Sequence, residues 1–199
     1  MRKNPERRLA LIDAAIEVLA REGARGLTFR AVDAQAAVPN GTASNYFSNR
    51  DDLLTQAGGR IYERLIPDDL EGLIDPVNGT DRERLVTLML EVVDRVTSFG
   101  TGFLALMELR LEATRRPDLR AVLTVRIRED FDLNVANHLA SGVPGDAMTV
   151  RLLYMSLNWL ALDRLTLPNL FGEEDIRTIV EAAVDRALPR ESWKVSAVR

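Results

Sequence analysis

Residues 27–50 read LTFRAVDAQAAVPNGTASNYFSNR and decide the fold of the N-terminal part of the chain. Two short segments with helical spacing flank a tight turn at residues 37–38, which are the proportions of a helix-turn-helix. The second helix of such a motif lies in the major groove of DNA. In this segment Asn40, Thr42 and Asn45 carry groups that can hydrogen-bond base edges. The alternative, a helical hairpin without a DNA role, is disfavoured by this spacing.

Further side chains in the same segment are of the kinds that anchor DNA phosphates. Tyr46 and Arg30 are donors at the rim, and Thr28 and Arg50 also lie at predicted helix N-termini, where free amides attract anions. The complete predicted DNA-contacting set is Thr28, Arg30, Pro39, Asn40, Gly41, Thr42, Ser44, Asn45, Tyr46 and Arg50.

The segment resembles the DNA-binding domain of the tetracycline-repressor (TetR) family. The residues that fall on the family pattern are Thr28, Val32, Ala36, Val38, Gly41, Thr42, Tyr46, Phe47 and Arg50. The resemblance is close over about residues 9–54 and continues beyond them only as a similar layout of helices. It implies a homodimeric repressor that binds a near-palindromic DNA operator and is released by a small-molecule effector.

Two departures from the family pattern affect the turn. Pro39 stands where a serine usually caps the recognition helix, so we expect that helix to begin at the proline or to take Asn40 as its cap. Ala37 replaces a glycine, which predicts a turn conformation that tolerates a Cβ atom.

Two other departures affect side-chain contacts. Ser44 replaces a tyrosine that often touches phosphate, so one contact to the DNA backbone is expected to be weaker. Asp33 replaces a packing alanine, and it needs a partner such as Arg30 or solvent.

Apolar residues recur at helical spacing along nearly the whole chain, which predicts an all-α fold of about nine helices. We expect a three-helix helix-turn-helix domain at residues 1–48, and a helical bundle for effector binding and dimerisation at residues 49–199. The helix at about 49–66 links the two, and a loop follows at 67–79. Boundaries are predicted from capping and breaking residues: Asn4 and Pro5, Gly23 and Gly26, capping boxes at Ser48–Asp51 and Thr80–Glu83, breaks at Gly100 and Gly102, and stops at Pro117, Pro168 and Pro189.

Composition narrows the functional class. The net charge is −4, but residues 1–66 carry ten basic and eight acidic side chains, so the predicted DNA-binding part is the more basic one. No cysteine is present, which excludes thiolate catalysis and favours a cytoplasmic location. With a single histidine, His138, we expect no metal site and no cofactor.

The C-terminal helices contain aromatic and polar-tipped residues of the kind that line a ligand pocket between bundle helices. The predicted effector-pocket residues are Phe99, Phe103, Met107, Phe131, His138, Tyr154, Asn158 and Trp159. For His138 the alternative is an ordinary helix histidine. Glu108 and Glu112 are one turn apart, and salt bridges with Arg115 or Arg116 are their expected role.

Apolar stripes on the last two helices predict a four-helix dimer interface. Its predicted residues are Val150, Leu153, Leu157, Leu160, Ile176, Ile179, Val180, Ala183, Val184 and Ala187. The alternative is that these stripes only close the core of one chain.

Gly58-Gly59 interrupts the fourth helix, either as a close packing contact or as a hinge between pocket and DNA-binding domain. At the level of function the alternatives are a helical enzyme or carrier for a small apolar molecule, and a DNA binder that activates or has no effector. The enzyme alternative lacks a nucleophile–base pair.

Overall fold

The computed structural model describes residues 4–65 and 81–188, and within these ranges the chain is entirely α-helical, as predicted. The predicted loop at 67–79, the capping residue Thr80 and the stop at Pro189 lie outside the described residues. The nine described helices are α1 (Pro5–Gly26), α2 (Phe29–Gln35), α3 (Thr42–Tyr46), α4 (Arg50–Leu65), α5 (Asp81–Ser98), α6 (Gly100–Ala113), α7 (Pro117–Ala140), α8 (Ala147–Thr166) and α9 (Glu173–Ala187). None of them is long and apolar enough to cross a membrane.

The described residues form two compact units. Residues 4–65 and 99–127 make up the first unit, and residues 81–98 and 128–188 make up the second. Helix α4 belongs to the first unit together with the predicted DNA-binding helices. The division of function at residue 48 stays a prediction.

The first unit is built around α1. Asn4 caps this helix by accepting a hydrogen bond from the Glu6 amide at 2.9 Å, as its position before Pro5 predicts. The inner face of α1 is apolar, and Leu11, Ile16 and Leu19 are fully buried. They belong to one core with the buried residues of α2, α3, α4 and α6. Each such side chain contributes about 1.5–3 kcal/mol through burial, so α1 organises the unit.

The second unit is built from α5, α8 and α9. The core consists of buried aliphatic side chains, Leu85 and Val93 on α5, Leu153, Leu157 and Leu160 on α8, and Ile176, Val180 and Val184 on α9. Arg82 adds a two-pronged ion pair to Asp185, at 2.6 and 2.9 Å, which joins α5 to α9. Asp146 caps α8 by accepting from the amides of Met148 and Thr149, both at 2.9 Å.

Two predicted helix boundaries are wrong. The chain breaks at Phe99, which is the N-cap of α6, and Gly100 and Gly102 lie inside the first turn of that helix. Gly102 is needed because the Phe99 ring occupies the space of a Cβ atom, which would lie 2.1 Å from the nearest ring carbon. Phe99 rather than the glycines therefore separates α5 from α6.

The second wrong boundary is the capping box before α4, which is shifted by one residue. The Asn49 side chain accepts from the Asp52 amide at 2.8 Å, and Asp52 in turn accepts from the Ser48 amide at 2.9 Å. Three short polar side chains in a row allow either register, so the pattern alone did not fix which one caps.

The two adjacent glycines of α4 have different surroundings. A Cβ atom on Gly58 would lie 3.0 Å from Cδ2 of Leu123 and 3.7 Å from Cδ1 of Leu109, whereas a Cβ atom on Gly59 would meet nothing within 4 Å. Gly58 is therefore a packing position, where the absence of a side chain lets α6 and α7 approach. Gly59 has no such packing role.

We expect Gly59→Ala to raise the free energy of unfolding by about 1 kcal/mol, because alanine is the better helix former and the site has room. The melting temperature should then rise by about 2–4 °C in thermal unfolding followed by circular dichroism. Gly58→Ala is the matched control, and it should gain less because Leu123 must move. Equal gains for the two variants would contradict the packing role of Gly58.

Candidate DNA-binding site

The predicted helix-turn-helix is formed by α2 and α3, and a buried carboxylate joins the two helices. Asp33 on α2 has no exposed surface. One of its oxygens accepts from the Gly41 amide and the other from the Ala43 amide, both at 2.7 Å. These amides belong to the first turn of α3, which has only five residues. Asp33 therefore caps the recognition helix from the neighbouring helix.

This cap corrects two predictions. The partner of Asp33 is neither Arg30 nor solvent but the backbone of α3. The recognition helix neither begins at Pro39 nor uses Asn40 as its cap; Gly41 is the N-cap residue, with φ of 91°. Gly41 lacks a capping side chain of its own, and Asp33 supplies that function from eight residues earlier.

The turn between the two helices keeps a left-handed residue although glycine is absent. Ala37 has φ of 52°, which contradicts the predicted change of turn conformation. A left-handed alanine costs about 1–2 kcal/mol. The surrounding backbone holds it there, because the Val38 amide donates to the Asp33 carbonyl at 3.0 Å and the Ala37 amide donates to the Ala34 carbonyl at 3.2 Å.

The predicted base-reading side chains are not equally available. Asn40 and Asn45 are exposed, as is Ser44, whose hydroxyl donates to the Gly41 carbonyl at 2.9 Å. Thr42 is half-buried, and its hydroxyl donates to the Pro39 carbonyl at 2.5 Å. Among the predicted readers, the two asparagines therefore have the most freely presented polar groups.

The predicted phosphate anchors fall into two groups. Thr28 and Arg30 are exposed, and the Thr28 hydroxyl oxygen caps α2 by accepting from the Ala31 amide at 3.1 Å. Tyr46 is buried, and the Arg50 guanidinium donates to the carbonyls of Leu27 (3.0 Å) and Ala24. Tyr46 and Arg50 thus support the unit itself, so a phosphate role is best assigned to the exposed pair.

Two charged residues that hold the motif in place were not singled out for this role. Arg8 on α1 donates to the Tyr46 carbonyl at the end of α3 and to the Gln56 side chain, both at 3.0 Å. Glu108 on α6 accepts from the Ala24 amide at 3.0 Å. Because each bonds the backbone or an amide far away in the chain, local spacing could not reveal them.

The two glutamates of α6 have different roles. Glu112 forms the predicted salt bridges to Arg115 at 2.7 Å and Arg116 at 2.9 Å, and these hydrogen bonds hold the pKa of Glu112 below its usual value. For Glu108 the prediction is wrong, because its carboxylate bonds the Ala24 backbone amide instead of an arginine.

Three of the predicted effector-pocket residues lie in the first unit. Phe103 is buried, Met107 packs half-buried against the core, and the Phe99 ring lies 4.0 Å from the Arg64 guanidinium carbon. Five lie in the second unit: Phe131, His138, Tyr154, Asn158 and Trp159. Phe131 and Tyr154 are in edge-to-face contact with ring centres 6.0 Å apart, and Asn158 donates to the Tyr154 carbonyl at 2.7 Å. A pocket lined by all eight residues stays a prediction.

His138 has the surroundings of a packed helix histidine. Its Nε2 atom is buried without a hydrogen-bond partner among the described residues, and a Cβ atom on Gly145 would lie 2.8 Å from it. Burial lowers the pKa of His138, opposed by a hydrogen bond from the Pro144 backbone and by Asp146. Within residues 4–65 and 81–188, no three His, Asp or Glu side chains are grouped as metal ligands would be.

The predicted dimer interface mostly faces inward. Seven of its ten residues are buried in the core of the second unit: Val150, Leu153, Leu157, Leu160, Ile176, Val180 and Val184. They pack against α5 and one another, so their side chains have no surface left for a partner chain. Ile179, Ala183 and Ala187 are half-buried. The outer face of α8 instead exposes Met148, Leu152, Met155 and Trp159, each by at least 50%.

We expect Asp33→Ala to destabilise the helix-turn-helix by about 3 kcal/mol, because two charge-assisted hydrogen bonds are lost and two amides lose their acceptor. Hydrogen exchange followed by NMR should show faster exchange of the Gly41 and Ala43 amides. Arg30→Ala on the exposed side of the same helix is the control and should leave these amides protected. Unchanged exchange in Asp33→Ala would contradict the capping role.

Comparison with known proteins places this arrangement in context. Residues 11–57 match the model of bacterial regulatory proteins of the tetR family, and residues 80–190 match the model described as tetracyclin repressor-like, C-terminal domain. The nicotine-responsive transcriptional repressor HdnoR of Paenarthrobacter nicotinovorans is 23% identical, with 91% of this chain and 95% of the relative covered. The transcriptional regulator BetI of Rhizobium meliloti is 28% identical over 62% of this chain and 60% of its own length.

Solved structures agree with these matches. A transcriptional regulator from Rhodococcus sp. Rha1 superposes with a TM-score of 0.71 at 20% identity, covering 91% of this chain and 95% of that one. The multidrug binding protein EbrR, in complex with ethidium, has a TM-score of 0.59 at 31% identity, covering 91% and 99%. The C-terminal family match alone spans more than half of the sequence, and the chain belongs to the TetR family of transcriptional regulators.

Proposed function

We propose that this regulator is a cytoplasmic repressor that binds a near-palindromic operator as a homodimer and is released by a small-molecule effector. The observation that carries the proposal is the recognition helix, which Asp33 fixes on α2 while Asn40 and Asn45 point outward unburied. Relatives support the regulatory part, since HdnoR is a nicotine-responsive repressor and EbrR is a multidrug binding protein solved with ethidium. Because the family consists of transcriptional regulators, the enzyme alternative has no observation in its favour within the described residues.

The exposed asparagines suit base reading. An asparagine amide can bond adenine with two hydrogen bonds in the major groove, and each such contact is worth about 1–3 kcal/mol against a wrong base. Thr28 and Arg30 lie exposed at the start of α2, where hydroxyl, guanidinium and free amides suit phosphate oxygens. In this proposal α3 reads the sequence and the start of α2 positions it.

The decisive experiment is selection of operator sequences from random DNA with the purified protein. We expect a near-palindromic site, because two identical recognition helices related by a two-fold axis read two half-sites. Asn45→Ala should then relax preference at particular positions by about 1–3 kcal/mol.

Arg30→Ala is the comparison variant for this experiment. It should weaken binding to all sequences alike and lower the salt dependence by about one phosphate contact. If Asn45→Ala keeps wild-type affinity and sequence preference, α3 is not the reading helix. If no DNA sequence is enriched at all, the proposed function fails.

The dimer requires a surface that the single chain leaves open, and the outer face of α8 is such a surface. Met148, Leu152, Met155 and Trp159 follow each other at spacings of three and four, so they form one apolar stripe. Monomers seldom expose so much contiguous apolar surface. In a two-fold dimer the same stripe meets itself, which commits α8 to a second copy of the chain.

We therefore expect Met155→Glu/Trp159→Glu to give a folded monomer with greatly reduced operator binding, because the charges oppose burial of the stripe. Size-exclusion chromatography with light scattering gives the mass, and circular dichroism confirms helix content. Val180→Asp should instead unfold the second unit, because Val180 is fully buried there. Thr178→Glu, exposed on α9, is the control and should stay dimeric. A double variant that remains a dimer would reject the α8 interface.

Release by an effector requires only that the effector binds the DNA-incompetent form more tightly. A tenfold loss of operator affinity corresponds to about 1.4 kcal/mol of such differential binding. The packed contact of Gly58 with Leu123 favours transmission through a stiff α4 rather than through a hinge in it.

A further inference from the structure

One acidic side chain of the second unit lacks a cationic partner. Asp130 on α7 is half-buried, and among the described residues it forms no ion pair. Hydrogen bonds from the side chains of Tyr154 and Asn134 are its polar contacts. Burial raises the pKa of the Asp130 carboxyl above its usual value, and these two hydrogen bonds only partly oppose that effect. A carboxylate that is withdrawn from water without a counter-ion costs free energy, so its retention calls for an explanation.

Aromatic rings lie beside this carboxylate. Tyr154 connects the two features, because its hydroxyl bonds Asp130 and its ring makes the edge-to-face contact with Phe131. The Phe131 ring already attracts a cation, since the guanidinium carbon of Arg151 lies 5.1 Å from the ring centre. Both rings are half-buried rather than sealed, so part of their surface is open.

A carboxylate with two partly open aromatic rings is suited to one class of ligand. It attracts positive charge and repels carboxylates and phosphates, and the rings favour a cation that carries an apolar or aromatic body. A bare metal ion is a poor fit, because it needs several oxygen or nitrogen ligands and Asp130 offers one carboxylate. The geometry thus selects an organic cation.

We propose that Asp130, Phe131 and Tyr154 form a binding site for an organic ammonium ion with an aromatic or bulky apolar substituent. This rests on the proposed function in one respect, namely that such a ligand acts as the effector. The cation supplies the missing counter-ion to Asp130, and its body packs on Phe131 and Tyr154. An uncharged molecule of the same shape gains only the second of these contacts.

The test uses benzyltrimethylammonium and neopentylbenzene, which differ only by nitrogen in place of carbon and hence by the charge. Calorimetric titration of the full-length protein without DNA at pH 8 should show binding of the cation and at least tenfold weaker binding of the neutral molecule. Asp130→Asn should weaken binding of the cation at least tenfold, and it keeps an oxygen that accepts from Tyr154. Asp132→Asn, an exposed acid on the same helix, is the matched control and should bind as the wild type does.

A purely structural role of Asp130 is separated by thermal unfolding without ligand. Removing a half-buried charge should leave the melting temperature of Asp130→Asn unchanged or raise it, whereas a structural carboxylate would lower it. Phe131→Leu, which keeps an apolar side chain, should also weaken binding of the cation at least fivefold. Failure of the wild type to bind the cation, or equal binding by wild type and Asp130→Asn, overturns the site.

The operator experiment keeps the two proposals apart. Enrichment of an operator together with no binding of the cation would overturn this inference alone. Binding of the cation through Asp130 together with no enriched DNA would overturn the proposed function and leave the site standing. Release of the operator by benzyltrimethylammonium from wild type but not from Asp130→Asn supports both.

Discussion

The two hydrogen bonds from Asp33 to the start of α3 are the constraint on which the DNA-binding surface depends. A helix of five residues is far too short to be stable alone, so its existence and direction come from its neighbours. Placing a carboxylate in the core costs several kcal/mol unless its oxygens are satisfied, and here each oxygen has a backbone amide at 2.7 Å. Asp33 can lower its energy only where α3 begins, and this fixes the directions in which Asn40 and Asn45 point.

The same unit concentrates long-range polar contacts on the end of α1. Gly23 leaves the helical conformation with φ of 68°, which exposes the amides and carbonyls of the turn that leads into α2. Glu108 from α6 takes the Ala24 amide, and Arg50 from α4 takes the carbonyls of Ala24 and Leu27. Since both helices hold the same few backbone groups, a shift of α4 or α6 must move the entry to the helix-turn-helix.

Much of this fold could be predicted from sequence because its strongest determinants are local. Helical periodicity gave the all-α class, and Asn4 and Asp146 were readable as caps because a cap bonds amides two or three residues away. The roles of Asp33, Arg50 and Glu108 could not be predicted in this way, because their partners are 8 to 84 residues distant. The left-handed Ala37 also escaped prediction, since composition favours glycine there and only the surrounding hydrogen bonds hold an alanine.

Helix α8 shows why the functional surfaces were harder to assign than the fold. It is apolar on both sides, so periodicity could not tell the face that packs on α5 and α9 from the face that stays open. Burial assigns Leu153 and Leu157 to the core and leaves Met155 and Trp159 outside. Tyr154 lies between these faces and touches Phe131 of α7. In the proposed function one helix therefore carries the core, the partner surface and part of the effector site, so a ligand that shifts Tyr154 acts directly on the helix that holds the two protomers together.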